Sequence, residues 1–224
     1  MIPAPQNRGG GELRPHTIHV VELLASGREA DVFDIGDNRV LRRSRDDRGV
    51  EREAEVMIRL AAQGFPVPAV HHAAGRDLVM ERVEGPSMLT ALLTEDLDVT
   101  TAAEIMTTLH TRLRQADILH LDLHPDNVIL SPNGPVLIDW SNCTEGPPGL
   151  DPAISALILA QVSVGGTDLA DLAHDLLRVF APRLDITTEL PAAVRLRETN
   201  PSMSAQELAD LGKAADLVRR LSGR

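Results

Sequence analysis

The chain has 224 residues, is 43% hydrophobic and 25% charged, and carries a formal net charge of −11. That length can bury a substantial core and suits one large domain or two lobes around a cleft. No apolar run approaches the roughly 20 residues of a membrane-spanning helix, the acidity argues against a nucleic-acid partner because phosphate binding needs a basic face, and the single cysteine, Cys143, excludes internal disulfides and thiolate zinc clusters.

Residues 1–15 read as a loose arm with no secretory apolar stretch, so a cytoplasmic location is expected. Segments 16–24, 31–35 and 39–42 alternate or carry β-branched residues and predict a three-stranded meander, with Gly27 in the first connection and Gly36-Asp37-Asn38 as the second turn. Residues 50–62 place Val50, Ala54, Met57, Ile58 and Ala61 at helical spacing, and Gly64 with Pro66 closes that helix. Two more strands follow at 67–73 and 78–83, and Gly85-Pro86 marks a lobe boundary, giving a small lobe over 16–84 and a second lobe over 85–224. Thr101 with Glu104 reads as a capping box for a helix that runs to about Ala116. Asn133-Gly134-Pro135 is a turn that pairs 128–130 with 136–138 as a hairpin, and helix starts at Asp151-Pro152, Thr167-Asp168 and Ser204 with Glu207 predict an all-helical C-terminal third.

Between the 101–116 helix and the hairpin lies ILHLDLHPDNVIL, residues 118–130, in which two histidines and two acids crowd between apolar runs. His120, Asp122 and His124 are conceivable zinc ligands, but no downstream group completes a set of four, and His174 stands inside an apparent helix. A second reading takes Asp122, Asn127 and Asp139 together. Moving a γ-phosphoryl group requires a carboxylate to orient and deprotonate a hydroxyl, and oxygen ligands to hold Mg²⁺ against the phosphates. Asp122 followed five residues later by Asn127, with Asp139 after the hairpin's second strand, supplies that inventory in order. The pattern H-x-D-L-x-x-x-N of kinase catalytic loops fits His120 through Asn127, with Leu121 where Arg is usual.

LHLDLHPDNVIL followed by VLIDW resembles the aminoglycoside phosphotransferase-like branch of the protein-kinase-like superfamily, over roughly residues 20–159. The resemblance implies an α+β, bilobal, protein-kinase-like fold with a small five-stranded antiparallel sheet and one helix ahead of a mostly helical lobe. It also implies ATP as co-substrate, Mg²⁺ as cofactor and a small-molecule alcohol as acceptor. By the same resemblance Asp122 is the catalytic base, Asn127 and Asp139 bind magnesium, His120 braces the loop, and His124 stabilises its turn or approaches the phosphates.

On the nucleotide side, the resembling family places a Lys on the third strand and a Glu on the following helix. Here those positions fall on Arg42 and Glu53, in a chain where Lys213 is the lone lysine. Arg binds phosphate, but its planar fork does not fill the space of an ammonium, and alternation leaves open whether Arg42 or Arg43 points inward. Gly27 is the one glycine of the first turn and permits close approach of backbone to phosphate, while the main chain of Glu81 and Val83 corresponds to the family's adenine-binding connector. Met80 reads as core beside the ring, and Asp151 and Asp168 read as helix-start residues before acceptor-binding acids. The expected activity is ATP- and Mg²⁺-dependent phosphorylation of a small-molecule hydroxyl. The competing reading, motivated by Arg42 and the sparse glycines, is a nucleotide-binding pseudokinase. A protein-kinase role is weaker, because no A-P-E segment follows Asp139. Neither the acceptor nor the oligomeric state is written in the sequence.

Overall fold

The computed structural model describes residues 22–223 apart from Arg28, Arg48 and Ser202. The 1–15 arm and the first part of the strand expected at 16–24 lie outside the described residues. Strands β1 (Glu22–Ser26), β2 (Ala30–Gly36) and β3 (Arg39–Ser44) form the anticipated meander, and β4 (Val70–Ala74) and β5 (Asp77–Glu81) complete an antiparallel sheet in the order β1-β2-β3-β5-β4. The β2–β3 turn works because Gly36, Asp37 and Asn38 all adopt positive φ, which these residue types tolerate. Alternation along β3 buries Val40, Arg42 and Ser44 on one face and exposes Arg43, whose guanidinium instead forks onto Asp77 on the neighbouring strand at 2.7 and 2.6 Å. Arg42, not Arg43, is therefore the inward arginine.

Helix α1 (Glu51–Ala62) lies against this sheet on Ala54, Met57 and Leu60, with Glu53 on the same buried side. The expected apolar stripe is rotated: Leu60 is fully buried, while Ile58 is 55% exposed. Gly64, in the left-handed region, reverses the chain as Phe65 N–H bonds back to Leu60 O.

The linker after β5 is stitched to the second lobe. Gly85 has φ +134°, and a Cβ there would fall 2.2 Å from Leu130 O, so no other residue fits without displacing the backbone. Leu130 N–H then donates to Pro86 O, and Ser87 bridges to Ile129. A short helix unseen in the sequence, α2 (Met88–Leu93), follows with Ser87 as its cap.

Helix α3 (Val99–Ala116) ends where the sequence indicated but begins earlier. Asp98, not Thr101, is the N-cap: its Oδ1 accepts from Thr100 N–H and Thr101 N–H at 2.8 and 3.0 Å, and Thr101 is the residue being capped. Two side-chain geometries compete at such a start, and the carboxylate one turn earlier satisfies more orphan amides. The hairpin of β6 (Val128–Ser131) and β7 (Gly134–Leu137) has Val128 opposite Leu137. Helices α4 (Leu150–Val164), α5 (Ala170–Phe180), α6 (Leu190–Glu198) and α7 (Ala205–Leu221) make the C-terminal third helical, and α7 opens on the expected Ser204–Glu207 capping box. Asp151 and Asp168 cap nothing: α4 and α5 have no side-chain cap bond. Among the described residues no helix is long and apolar enough to cross a membrane.

Candidate active site

The loop between α3 and β6 is shaped by its apolar anchors. Ile118, Leu119, Leu123, Pro125 and Val128 are buried, which fixes the backbone and leaves Asp122 and Asn127 half-buried at a surface. Leu121 turns the chain with φ +64° while its side chain packs against the core. A leucine in that conformation costs about 1–2 kcal/mol, so something must hold it. That group is Asp151 in the first turn of α4. Its Oδ1 accepts the N–H groups of His120 and Leu121 at 2.8 and 2.6 Å, and its Oδ2 meets His110 Nδ1 at 2.9 Å. Burial works to raise the Asp151 carboxyl, but the hydrogen bond and charge of His110, with His120 and the Leu121 amide, outweigh it and hold the group below the usual carboxylate range.

His120 is fully buried and braces the same loop from the other side. Its Nε2 donates to Ile138 O at 3.0 Å, its Nδ1 accepts Asp122 N–H at 3.2 Å, and its ring sits edge-on to Trp140 at 4.7 Å. These partners require the neutral ring. Burial pushes its pKa down, against the pull of Asp151, Asp122 and Asp139.

The Asn127 amide Nδ2 donates to the Asp122 carbonyl at 2.9 Å and to Asp122 Oδ2 at 3.2 Å, with His124 Nε2 also 3.2 Å away. Asp122 Oδ1 and Asn127 Oδ1 are thereby left without a protein partner among the described residues. Ile138 N–H bonds Asn127 O at 2.9 Å, extending the hairpin by one rung and delivering Asp139, in the left-handed region at φ +60°, beside Asn127.

Arg42 ties the two lobes together. Its Nη1 lies 3.0 Å from Glu53 Oε2 and its Nη2 lies 3.2 Å from Asp139 Oδ1, which also accepts Ser141 Oγ at 2.9 Å. One guanidinium thus spans two carboxylates, each met by a different nitrogen of its fork. Glu53 is nonetheless raised to about 7: burial dominates, Arg42 lowers it, and Asp139 raises it again.

Two cavities meet here. One of about 520 Å³ is lined by Gly27, Arg42, Asp122, His124, Asn127 and Asp139, and one of about 510 Å³ by Val40, Met80, Glu81, Val83, Ile129 and Ile138. They share Val32, Arg42, Asn127, Ile138 and Asp139 and form one cleft between the lobes. All ten predicted site residues but Glu53 line it or, like His120, hold what does; Glu53 acts through Arg42. Met80 is 9% exposed, core and cavity wall at once. Gly27 N–H bonds Ala30 O at 2.9 Å in the β1–β2 turn. Glu81 N–H is spent on Ala69 O, which leaves its carbonyl, whereas Val83 N–H has no partner among the described residues.

The donor atoms of this cleft suit magnesium and not zinc. No group of three or more His, Cys, Asp or Glu side chains is arranged for a metal ion among the described residues. What is present is Asp139 Oδ2 and Asn127 Oδ1, two hard oxygens without competing donors, a set suited to magnesium that draws its other ligands from phosphates and water.

A RIO domain model matches residues 28–147, more than half of the chain. The chain belongs to the RIO domain family. RIO domains are an atypical protein-kinase-like family, so the chain is a kinase-like, ATP-binding protein of that superfamily. The superfamily expected from LHLDLHPDNVIL and VLIDW holds, while the branch that matches is RIO, not the aminoglycoside phosphotransferase-like one. The RIO match runs from the β1–β2 turn through the loop, the hairpin and Asp139, and stops before α4. No curated protein matches the chain.

Asp151 is the residue that sequence reasoning missed, together with His110. The available signal was an acid inside LDPAISALILA, an otherwise apolar helix, where a charge without a buried partner is costly.

Proposed function

We propose that this RIO-family chain is an ATP- and Mg²⁺-dependent phosphotransferase acting on a hydroxyl of a small molecule. The observation that carries it is the convergence of Asp122, Asn127, Asp139 and Arg42 on one cleft, with one side-chain oxygen of each of the first three free of protein partners among the described residues. In this reading the connector binds adenine through the Glu81 carbonyl and Val83 N–H, and Gly27 lets the β1–β2 turn approach the phosphates. Arg42, steered by Glu53, neutralises phosphate charge. Asn127 and Asp139 would hold magnesium, which supplies charge neutralisation at the β- and γ-phosphates. Asp122 Oδ1 accepts the acceptor's hydroxyl proton as the oxygen attacks, while Asn127 and His124 fix the carboxylate through Oδ2.

The small acceptor is supported by the short return from Asp139 to α4, residues 140–149, which has little chain with which to build a peptide-docking platform. A panel of amino alcohols, sugars and aminoglycosides, assayed for ATP consumption and phosphorylated product, tests it. Wild-type turnover with at least one acceptor and a fall of about a thousandfold in Asp122→Asn are expected. Absence of transfer to every acceptor, with Asp122→Asn indistinguishable from wild type, would sink the enzyme.

One observation favours a second reading. Arg42 sits directly on Asp139, the candidate metal ligand. A binding-only pseudokinase would be stabilised by Mg-ATP without transferring phosphate, since a ligand of the native state alone raises stability.

A further inference from the structure

Next to the cleft, on the side of α2, α4 and α5, lies a second cavity of about 260 Å³. Its walls are aliphatic: Leu92, Leu159, Val162, Leu172 and Leu176. Its polar lining is His124 and Asp126, which flank Pro125 in the turn between Asp122 and Asn127, and these two residues and Ile158 line the catalytic cleft as well. The apolar recess and the loop that carries Asp122 are therefore continuous.

We infer that this recess is the acceptor subsite, and that the acceptor is an amino alcohol with an apolar alkyl or aryl body, not a polyhydroxylated sugar. The inference rests on the phosphotransferase reading and narrows its substrate class. Three properties of the molecule lead to it. The volume equals that of roughly eight or nine waters, enough to enclose a short hydrocarbon body. An aliphatic wall gives a sugar's hydroxyls nothing to bond, and burying them unpaired is costly. The rim is acidic: Asp126 is exposed and, with Asp122, places negative charge where an ammonium adjoining the hydroxyl would stand, in a chain whose net charge is −11. The recess is kept open by a small residue, Ala173, on the α5 wall, where a larger apolar side chain would recover the packing contacts now forgone.

Ethanolamine and its N-methyl, N-butyl and N-hexyl derivatives form the probe series, measured with the full chain for binding by calorimetry and for ATP-dependent phosphorylation. Each buried methylene is worth about a fourfold gain in affinity, so the butyl compound should bind on the order of 50-fold more tightly than the methyl compound. Ala173→Phe fills the recess, and Leu89→Trp narrows it from the partly exposed face of α2, where a larger side chain disturbs folding less. Both variants should keep Mg-ATP stabilisation and lose the chain-length dependence. A series that binds with no dependence on tail length, or whose dependence survives both substitutions, overturns the subsite. Tail-dependent binding that both variants abolish, with no phosphate transferred to any member, upholds the recess as an alkyl-amine site and overturns the phosphotransferase reading instead.

Discussion

Replacing Asp151 tests the whole argument about how the loop is held. The carboxylate is 2% exposed and satisfies three groups at once: His120 N–H, Leu121 N–H and His110 Nδ1. In Asp151→Ala two buried amides and a buried imidazole lose their acceptor. Hydrogen bonds to a charged group contribute about 1.5–3 kcal/mol each, but removing one partner of a buried ionic cluster costs about 3–5 kcal/mol in total, because the bonds share one carboxylate. We expect about 4 kcal/mol, a fall in melting temperature of roughly 8–16 °C for a chain of this size. Asp151→Asn separates charge from geometry. Its amide oxygen can still take both N–H groups, and its NH₂ can donate to His110 Nδ1 once the ring moves its proton to Nε2, so about 2 kcal/mol is expected. Once Leu121 relaxes from its left-handed conformation, Asp122 shifts, and a displacement of about 1 Å is enough to cost a hundredfold in rate. Thermal melts and steady-state kinetics together decide the matter. Asp151→Ala should lower kcat far more than it raises KM for ATP, with Asp151→Asn intermediate on both scales. If the alanine variant melts with the wild type, or if the two variants are equally impaired, the carboxylate is not what holds the loop.

Other expectations follow from the same site. Glu53 is raised to about 7 from an ordinary 4.5, so in the folded chain its neutral form is favoured, and its contribution is full below pH 4.5 and lost as pH rises toward 7. The stability gap between wild type and Glu53→Gln, followed by denaturant unfolding, should therefore shift by about 3 kcal/mol across that window in favour of Gln. His120 runs the opposite way. Its folded pKa lies below 6.5, so stability is full above 6.5 and is lost as pH falls toward the folded value; a wild-type acid limb that starts below pH 6.5 and is absent from His120→Asn would show it. Gly85→Ala brings a Cβ to 2.2 Å from Leu130 O at a φ of +134°, and a loss of about 2–4 kcal/mol with weakened nucleotide binding is expected. Unchanged Mg-ATP affinity in that variant would mean that the linker's seat on β6 does not shape the nucleotide site.

Local signals in the sequence proved reliable wherever one residue and its near neighbours determine the outcome. The positive-φ turn at Gly36-Asp37-Asn38, the α1 stop at Gly64 and the Ser204–Glu207 box are of this kind, whereas the hairpin forms with its turn on Pro132-Asn133, so that Gly134 and Pro135, expected in the turn, open β7 instead. The motif residues came together because their spacing already encodes a loop and a hairpin. Failures arose where partners are distant. Asp151 carries the same helix-start appearance as Asp168, and nothing within a few residues reveals that its partners lie 30, 31 and 41 positions away. Helix α2, six residues long, is too short to display a period. Ile58 and Leu60 are both apolar in α1, and only the position of the sheet decides which is buried.

Leu121 occupies the position at which kinase loops usually carry an arginine, the residue type that, in many kinases, grips a phosphate added to a neighbouring segment. Here the side chain is hydrocarbon packed into the core, and the backbone it carries is secured from α4. The loop offers phosphate no cationic handle at this point, and its shape is set by folding itself. A loop built this way takes its geometry as the chain folds, and no covalent switch at Leu121 is needed to hold it there.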